Sequence, residues 1–301
     1  MFIWQTKAWQ DLLIFAKQAD KTYNIDNIKI EKRKVAFWEY GLFILWVNLK
    51  YIDFNIEKKL INLCKKEKCL FIQIEEVNYN WVFSNLQLFK KSYYKKFIPF
   101  FSVIIDLSKS EQDILWEMKP KGRYNIKLAK RKEVKVKIVE KTKENIEIFY
   151  HLMKETTKRD NFFWNTLTYY DFFLKSIKNS ELIFAYKEDK VIASWIFIFD
   201  KEVSIYYYWA SSSDKKYRNL MAPYLLQWEA IKLAKQKDSK MYDFLWIANP
   251  WDKKSPLIWV TNFKLKFNKK YKKVSESYIW INKSIKYYFI SILKKLQKSF
   301  F

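Results

Sequence analysis

The chain has 301 residues with 57 basic and 32 acidic side chains, a formal net charge of +25. Half of the residues are hydrophobic and a fifth aromatic, enough for one large core or two of ordinary size. One histidine and two cysteines exclude a histidine-rich metal centre and a disulfide framework. No apolar run of about 18 residues marks a membrane span, and the polar start MFIWQTKAWQDLL lacks a secretory apolar region.

In chain order, residues 4–19 read as an amphipathic helix, and strand-like segments follow at 35–49 and 69–76. Cys64 and Cys69 sit in a lysine-rich stretch and read as ordinary thiols of a reducing compartment. The run FSVIIDL (101–107) is a strand. Ser110 and Asp113 then open a helix as a capping-box variant, which Pro120 interrupts. A second, basic helix covers 122–132, and EVKVKIVE (133–140) alternates as a half-buried strand does. Helices are expected at 143–158 and 166–178, with His151, the single histidine, as a packing residue in the first. Three strands form a meander at 181–186, 191–199 and 203–210. A polar loop, 211–219, leads into a helix with Pro223 near its first position. MYDFLWI (241–247) follows as a strand, parallel to the third meander strand if its crossover is right-handed.

That order is the core of the acyl-CoA N-acyltransferase (GNAT) fold, and the first half reads as a weaker copy. The fold class expected is α/β with mixed sheets, as two tandem GNAT-like domains over 1–141 and 142–280. The second would hold most of a cleft built from residues 204–267. The tail, 281–301, places Ile285, Tyr288, Phe289, Ile292, Leu293 and Leu296 on one helical face, with lysines opposite. That face is expected to lie back on the first domain; an anionic membrane is the alternative.

Two compositional oddities bear on function. Only five basic residues are arginine, namely Arg33, Arg123, Arg131, Arg159 and Arg218. Drift from Arg to Lys, as in an AT-rich genome, accounts for much of the charge, and makes a surviving bidentate fork informative. The remainder fits a polyanionic partner: RNA, nucleotide phosphates or a membrane surface. There are also 2 glycines and 14 tryptophans, against roughly 21 glycines at average usage. Chains need φ > 0 in places, which glycine supplies freely, and Asn249-Pro250-Trp251-Asp252 puts an indole in a turn. UGA codons read as glycine but translated as Trp would explain both counts. Trp9 and Trp228 suit helix interiors and read as true tryptophans.

Five segments resemble, in order, the FemX/FemAB family of peptidoglycan-bridge aminoacyltransferases. They are MKPKGRYNIKLAKRKEVKV (118–136), ETTKRDNF (155–162), YYYWASSSDKKYRNLMAPYLLQWEAI (206–231), YDFLWIANPWD (242–252) and WVTNFKLKFN (259–268). Where this chain has Trp209, Trp246 and Trp259, the family pattern has glycine. The resemblance implies transfer of an amino acid from aminoacyl-tRNA to the stem-peptide amine of lipid II or its UDP-linked form. It implies work in the cytoplasm, with peripheral contact at the inner face of the membrane, and no metal or cofactor.

Attack of an amine on an activated ester needs alignment and a donor for the developing oxyanion, not a protein nucleophile. By the resemblance Lys264 meets the donor's acyl–ribose end, and Phe263 is a wall of the cleft or plain core. Arg218, just before a helix N-terminus, suits the acceptor's diphosphate. Its loop lacks the glycines that hold coenzyme A pyrophosphate in GNAT enzymes, which argues against acetyl-CoA. Tyr206, Tyr208, Tyr242 and Asp243 lie at the ends of two strands expected to splay. Tyr206 and Tyr208 should share a face by the period of two, to bind the acceptor or to pack beneath the cleft. Arg123 and Arg159 are RNA or substrate contacts, or structural anchors, with Arg159 read as structural beside Asp160. The competing functions are an acyl-CoA-dependent N-acyltransferase and a non-enzymatic RNA- or membrane-binding protein.

Overall fold

The computed structural model describes residues 2–80, 86–252 and 254–299, with the backbone alone at 295–299. Contacts divide the chain into two units, 1–100 with 273–301 and 101–272. The division therefore falls at 100/101 instead of 141/142, and the chain returns to the first unit at 273. The strand and helices at 104–131, assigned from sequence to the first half, belong to the second.

The first unit holds α1 (Lys7–Phe15), β1 (Lys21–Ile25), β2 (Ile28–Ala36), β3 (Glu39–Val47), α2 (Phe54–Lys66), β4 (Phe71–Val77) and β5 (Lys90–Lys91). The second holds β6 (Phe101–Ser102), β7 (Ile104–Asp106), α3 (Glu111–Glu117), α4 (Pro120–Arg131), β8 (Lys135–Val139), α5 (Lys143–Asp160), α6 (Leu167–Ser176), β9 (Ser180–Lys187), β10 (Lys190–Ile198), β11 (Val203–Ser211), α7 (Lys215–Arg218), α8 (Ala222–Gln236), β12 (Met241–Asp243) and α9 (Ile258–Lys264). β13 (Lys272–Lys273) lies at the division, and β14 (Ser275–Ile281) and α10 (Ser284–Ser299) complete the first unit.

Each unit has a six-stranded mixed sheet of the same plan. In the first, β1-β2-β3 is an antiparallel meander, α2 crosses over, β4 pairs parallel to β3, and β14 pairs antiparallel to β4. In the second, β8-β9-β10-β11 is the meander, α8 crosses over, β12 pairs parallel to β11, and β7 pairs antiparallel to β12. This is the tandem GNAT-like arrangement. β1, β2 and α2 were not seen in the sequence, because lysines interrupt their apolar patterns.

The helices start where short polar side chains satisfy free amides. Asp53 accepts from Ile56 at α2, Thr142 from Asn145 at α5 and Thr166 from Tyr169 at α6. Ser110 caps α3 through Asp113 N, as expected. In the first unit, buried Glu75 accepts from the amides of Phe97 and Ile98, and Gln73 from those of Tyr94 and Lys95. Both cysteines are buried free thiols. His151 is exposed on α5, not packed.

Left-handed backbone falls entirely on residues other than glycine, among them Trp46 at φ 62° and Trp246 at φ 24°. Trp46 is the extra residue of a bulge in β3, between the pairs Leu45↔Glu75 and Val47↔Glu76. Its ring is stacked on Trp4 at 3.6 Å, and its buried indole N–H has no partner. By contrast the indole of Trp9 donates to Glu31 at 3.1 Å.

Gly122 has a different duty. A Cβ there would stand 2.5 Å from the carbonyl oxygen of Lys266, which already accepts from Lys119 N at 3.0 Å. The start of α4 thus rests on the backbone just beyond α9. We expect Gly122→Ala to cost about 1–3 kcal/mol of stability, read as a lower denaturant midpoint.

Candidate functional site

β12 is only three residues long, against the seven expected, and its parallel pairing with β11 ends at Ile205↔Asp243. The cause is local. Leu245 (φ 49°) and Trp246 (φ 24°) take left-handed conformations in succession, and the pairing with β11 does not resume beyond them. On the other side the segment stays attached, since Phe244 N donates to Val103 O and Ile247 N to Phe101 O. The result is a fork between β11 and the segment 243–248.

Three side chains hold that segment. The Asp243 carboxylate accepts from Leu245 N at 2.7 Å and from the Ser102 hydroxyl. The Thr261 hydroxyl accepts from Ala248 N at 2.8 Å. Lys264, the last residue of α9, donates to the carbonyls of Leu245 and Trp246 at 2.6 and 2.8 Å. Lys264 is 1 % exposed. Its ammonium lies 5.6 Å from the Tyr206 ring centre and 5.8 Å from that of Trp209. Burial pulls its pKa down to about 7, with Asp243 pulling the other way. A charged donor without bulk water is what an oxyanion requires.

Tyr206, Tyr242, Phe244 and Phe267 form an aromatic floor: Tyr242 lies 5.1 Å from Phe244, which lies 6.2 Å from Tyr206 and 5.1 Å from Phe267. The Tyr242 hydroxyl donates to Gln227 Oε1 on α8 at 2.5 Å, and burial holds both phenols protonated. Phe263, half-buried, packs on Tyr224 at 5.1 Å and Phe267 at 5.4 Å.

Tyr208 does not join this group, and the expectation of a shared face with Tyr206 is corrected. Tyr206 pairs with Phe197 but Tyr208 with Ile196, so Tyr207 is an extra residue in β11. The bulge turns the strand by one side chain. Tyr206 packs on Trp195 and Phe197; Tyr208 turns to α6, its hydroxyl 2.9 Å from that of Tyr169 and its ring 5.2 Å from that of Tyr170.

Both remaining arginine candidates lie away from the fork's polar groups. Arg123 donates to the carbonyls of Leu115, Trp116 and Met118, closing the C-terminus of α3. Arg218 is exposed at the end of α7. It precedes α8, whose N-cap, Met221, is left-handed at φ 56° and whose first turn contains Pro223. Arg159 forms a bidentate pair with Asp160 and reaches Ser211 O. Sequence reasoning missed Ser102, Gln227 and Thr261. A buried Gln or Thr among apolar neighbours was the available signal.

The class of protein this fold defines is a pair of tandem GNAT-like units. The FemAB family model matches residues 41–186 and 175–295, and the chain belongs to that family of transferases. Among solved structures, FemX is similar at 16 % identity and TM-score 0.81, over 96 % of this chain and 94 % of that one. The C-terminal domain of a putative lysylphosphatidylglycerol synthetase from Agrobacterium fabrum is similar at 9 % and 0.62, over 96 % and 94 %. L-PGS from Bacillus licheniformis follows at 12 % and 0.57, over 94 % and 91 %. At these identities the likeness is one of fold. No curated protein matches the chain.

Two outcomes are expected here. In the unfolded chain Lys264 keeps its proton to about pH 10, but in the fold only to about 7. Between these values the unfolded state binds the extra proton, so this group makes stability rise with pH across that window. Lys264→Met should remove that rise, so the parent's thermal midpoint gains on the variant's as pH climbs from neutral to alkaline. Second, Trp246→Gly should relieve left-handed strain and raise stability by about 1 kcal/mol, whereas Trp228→Gly, in the core of α8, should lower it by more than about 3 kcal/mol. A stability loss at Trp246 would count against glycine as its native residue, and UGG codons at Trp209, Trp246, Trp251 and Trp259 would end that account.

Proposed function

We propose that the protein moves an amino acid from aminoacyl-tRNA to the stem-peptide amine of a peptidoglycan precursor, lipid II or its UDP-linked muropeptide. The reading rests on membership of the FemAB family, and the observation that carries it is Lys264 held at the fork between β11 and 243–248. In the reaction the amine nitrogen attacks the ester carbonyl, whose oxygen becomes anionic. The ester C–O bond then breaks, the amide forms, and the proton released by the amine ends on the ribose oxygen of the tRNA. Two donor hydrogens of Lys264 fix the carbonyls of Leu245 and Trp246; the third is left for the oxyanion. Phe263 lines the wall beside it. Arg218, exposed before α8, takes the acceptor's diphosphate, and other basic side chains of the second unit receive the tRNA. Tyr206, Tyr242 and Asp243 support the fork from below. The work is done in the cytoplasm, at the inner face of the membrane.

The test is an assay with charged tRNA and a UDP-linked pentapeptide acceptor. Transfer is expected, and Lys264→Ala should lower kcat by about a hundredfold or more. The Trp209 indole screens Lys264, so Trp209→Gly should raise transfer. Acetylation from acetyl-CoA with no transfer from any charged tRNA would overturn the proposal. RNA binding without turnover in the parent would do so too.

A further inference from the structure

The tail helix α10 docks on its own unit with a different face from the one its sequence suggested. Tyr287 and Ile290 are the buried positions, at 7 % and 6 % exposure. The Tyr287 ring meets Phe71 at 5.5 Å and Tyr94 at 6.0 Å. Lys286 pairs with Glu39, and Lys294 donates to Tyr94 O. Four of the side chains expected to pack point outward: Ile285 is 89 % exposed, Phe289 61 %, Ile292 57 % and Tyr288 51 %, while Leu293 is half-buried. (Leu296, assigned to the same face, has its side chain outside the described residues.) Spacings of three and four along a helix make this one continuous apolar stripe. The stripe continues onto the hairpin between β2 and β3, where Phe37 is 63 % exposed and lines an open recess with Phe289.

The surroundings choose the partner. Residues 284–299 contain four lysines and no acid. Lys90 on β5 is exposed beside the stripe, and its Nζ reaches the Tyr288 hydroxyl at 3.3 Å. A second copy of the same face would set lysine against lysine. Anionic headgroups would neutralise the lysines while their acyl chains cover the apolar stripe, as for interfacial amphipathic helices. We propose that the outer face of α10, with Phe37 at the hairpin tip, is a docking surface for an anionic lipid bilayer. It goes beyond the transfer reaction, since it holds whether the acceptor is lipid-linked or soluble.

The test is co-sedimentation of the full chain with phosphatidylcholine vesicles, with and without phosphatidylglycerol, free of precursor and tRNA. Binding is expected only with phosphatidylglycerol, and should weaken as salt rises. The variant Ile285→Ser/Phe289→Ser/Ile292→Ser should lose more than about tenfold in affinity, with an unchanged thermal midpoint because these side chains are exposed. Lys90→Ala, which leaves α10 intact, should lose about fivefold. Both variants should keep transfer to a UDP-linked acceptor, which separates failure of this surface from failure of the enzymatic reading. Equal binding to both vesicles, or parent-like binding by both variants, would overturn the proposal. So would a dimer in solution that the serine variant dissociates, because a second copy would then cover the stripe.

Discussion

The fork depends on one arrangement: a buried ammonium closing two carbonyls that the backbone has turned away from its neighbouring strand. Leu245 and Trp246 leave the β11 side of the sheet, and their carbonyls would be unsatisfied in a buried place. Lys264 satisfies both. The cost is a charge without water, visible in the depressed pKa. An apolar residue of equal volume would relieve that cost but leave two buried acceptors unpaired. Lysine therefore serves the fold at this place, and the donor role proposed for it makes no conflicting demand.

Much of the second unit supports that one residue. Thr261 joins the start of the 248 turn to α9, and Asp243 joins the end of β12 to Ser102. Gly122 lets α4 come down on the carbonyl of Lys266, two residues past Lys264. The family-like segment around 118–136 thus reaches the site by backbone packing, with Arg123 employed at the end of α3. This explains how segments far apart in the chain can share a pattern without all of their residues meeting the reactants.

Most elements of the second unit were legible because they carry a local signal: Ser110 and Pro223 at helix starts, alternation in 133–140, apolar runs at 181–186 and 191–199; α9 carried none. Positions of side chains around the fork were less so. A bulge adds one residue without changing composition, so nothing in Tyr206-Tyr207-Tyr208 announces that the first and third part company. The end of β12 was equally hidden, since Leu245 and Trp246 are strand-like residues at positive φ. The tail helix misled for another reason. Both of its sides carry apolar residues, and Tyr287 and Ile290, fewer than the outer set, fit the recess left by Phe71 and Tyr94.

Comparison of the two sheets shows why one unit carries a fork and the other does not. In the first, β3 and β4 stay paired from Leu42↔Ile72 to Val47↔Glu76, and the irregular residue, Trp46, is accommodated inside the pairing as a bulge. In the second, the left-handed residues fall on the crossover strand after Asp243, where pairing ends for good. A bulge keeps the ladder and bends it; a left-handed pair abandons it. The backbone groups freed by the second course must find side chains, and the donor set at the fork, Lys264 and Thr261 against the acceptor Asp243, meets that need. In β4 the residues at the corresponding end are Glu75 and Glu76, both fully buried, with Glu75 engaged by the amides of Phe97 and Ile98. The ammonium at that end, Lys96, lies 3.8 Å from the Glu75 carboxylate, so its charge is engaged by an acid and not by freed backbone carbonyls. The same fold plan thus carries a fork in one unit and an unbroken ladder in the other, and the difference lies in where the chain leaves its pairing.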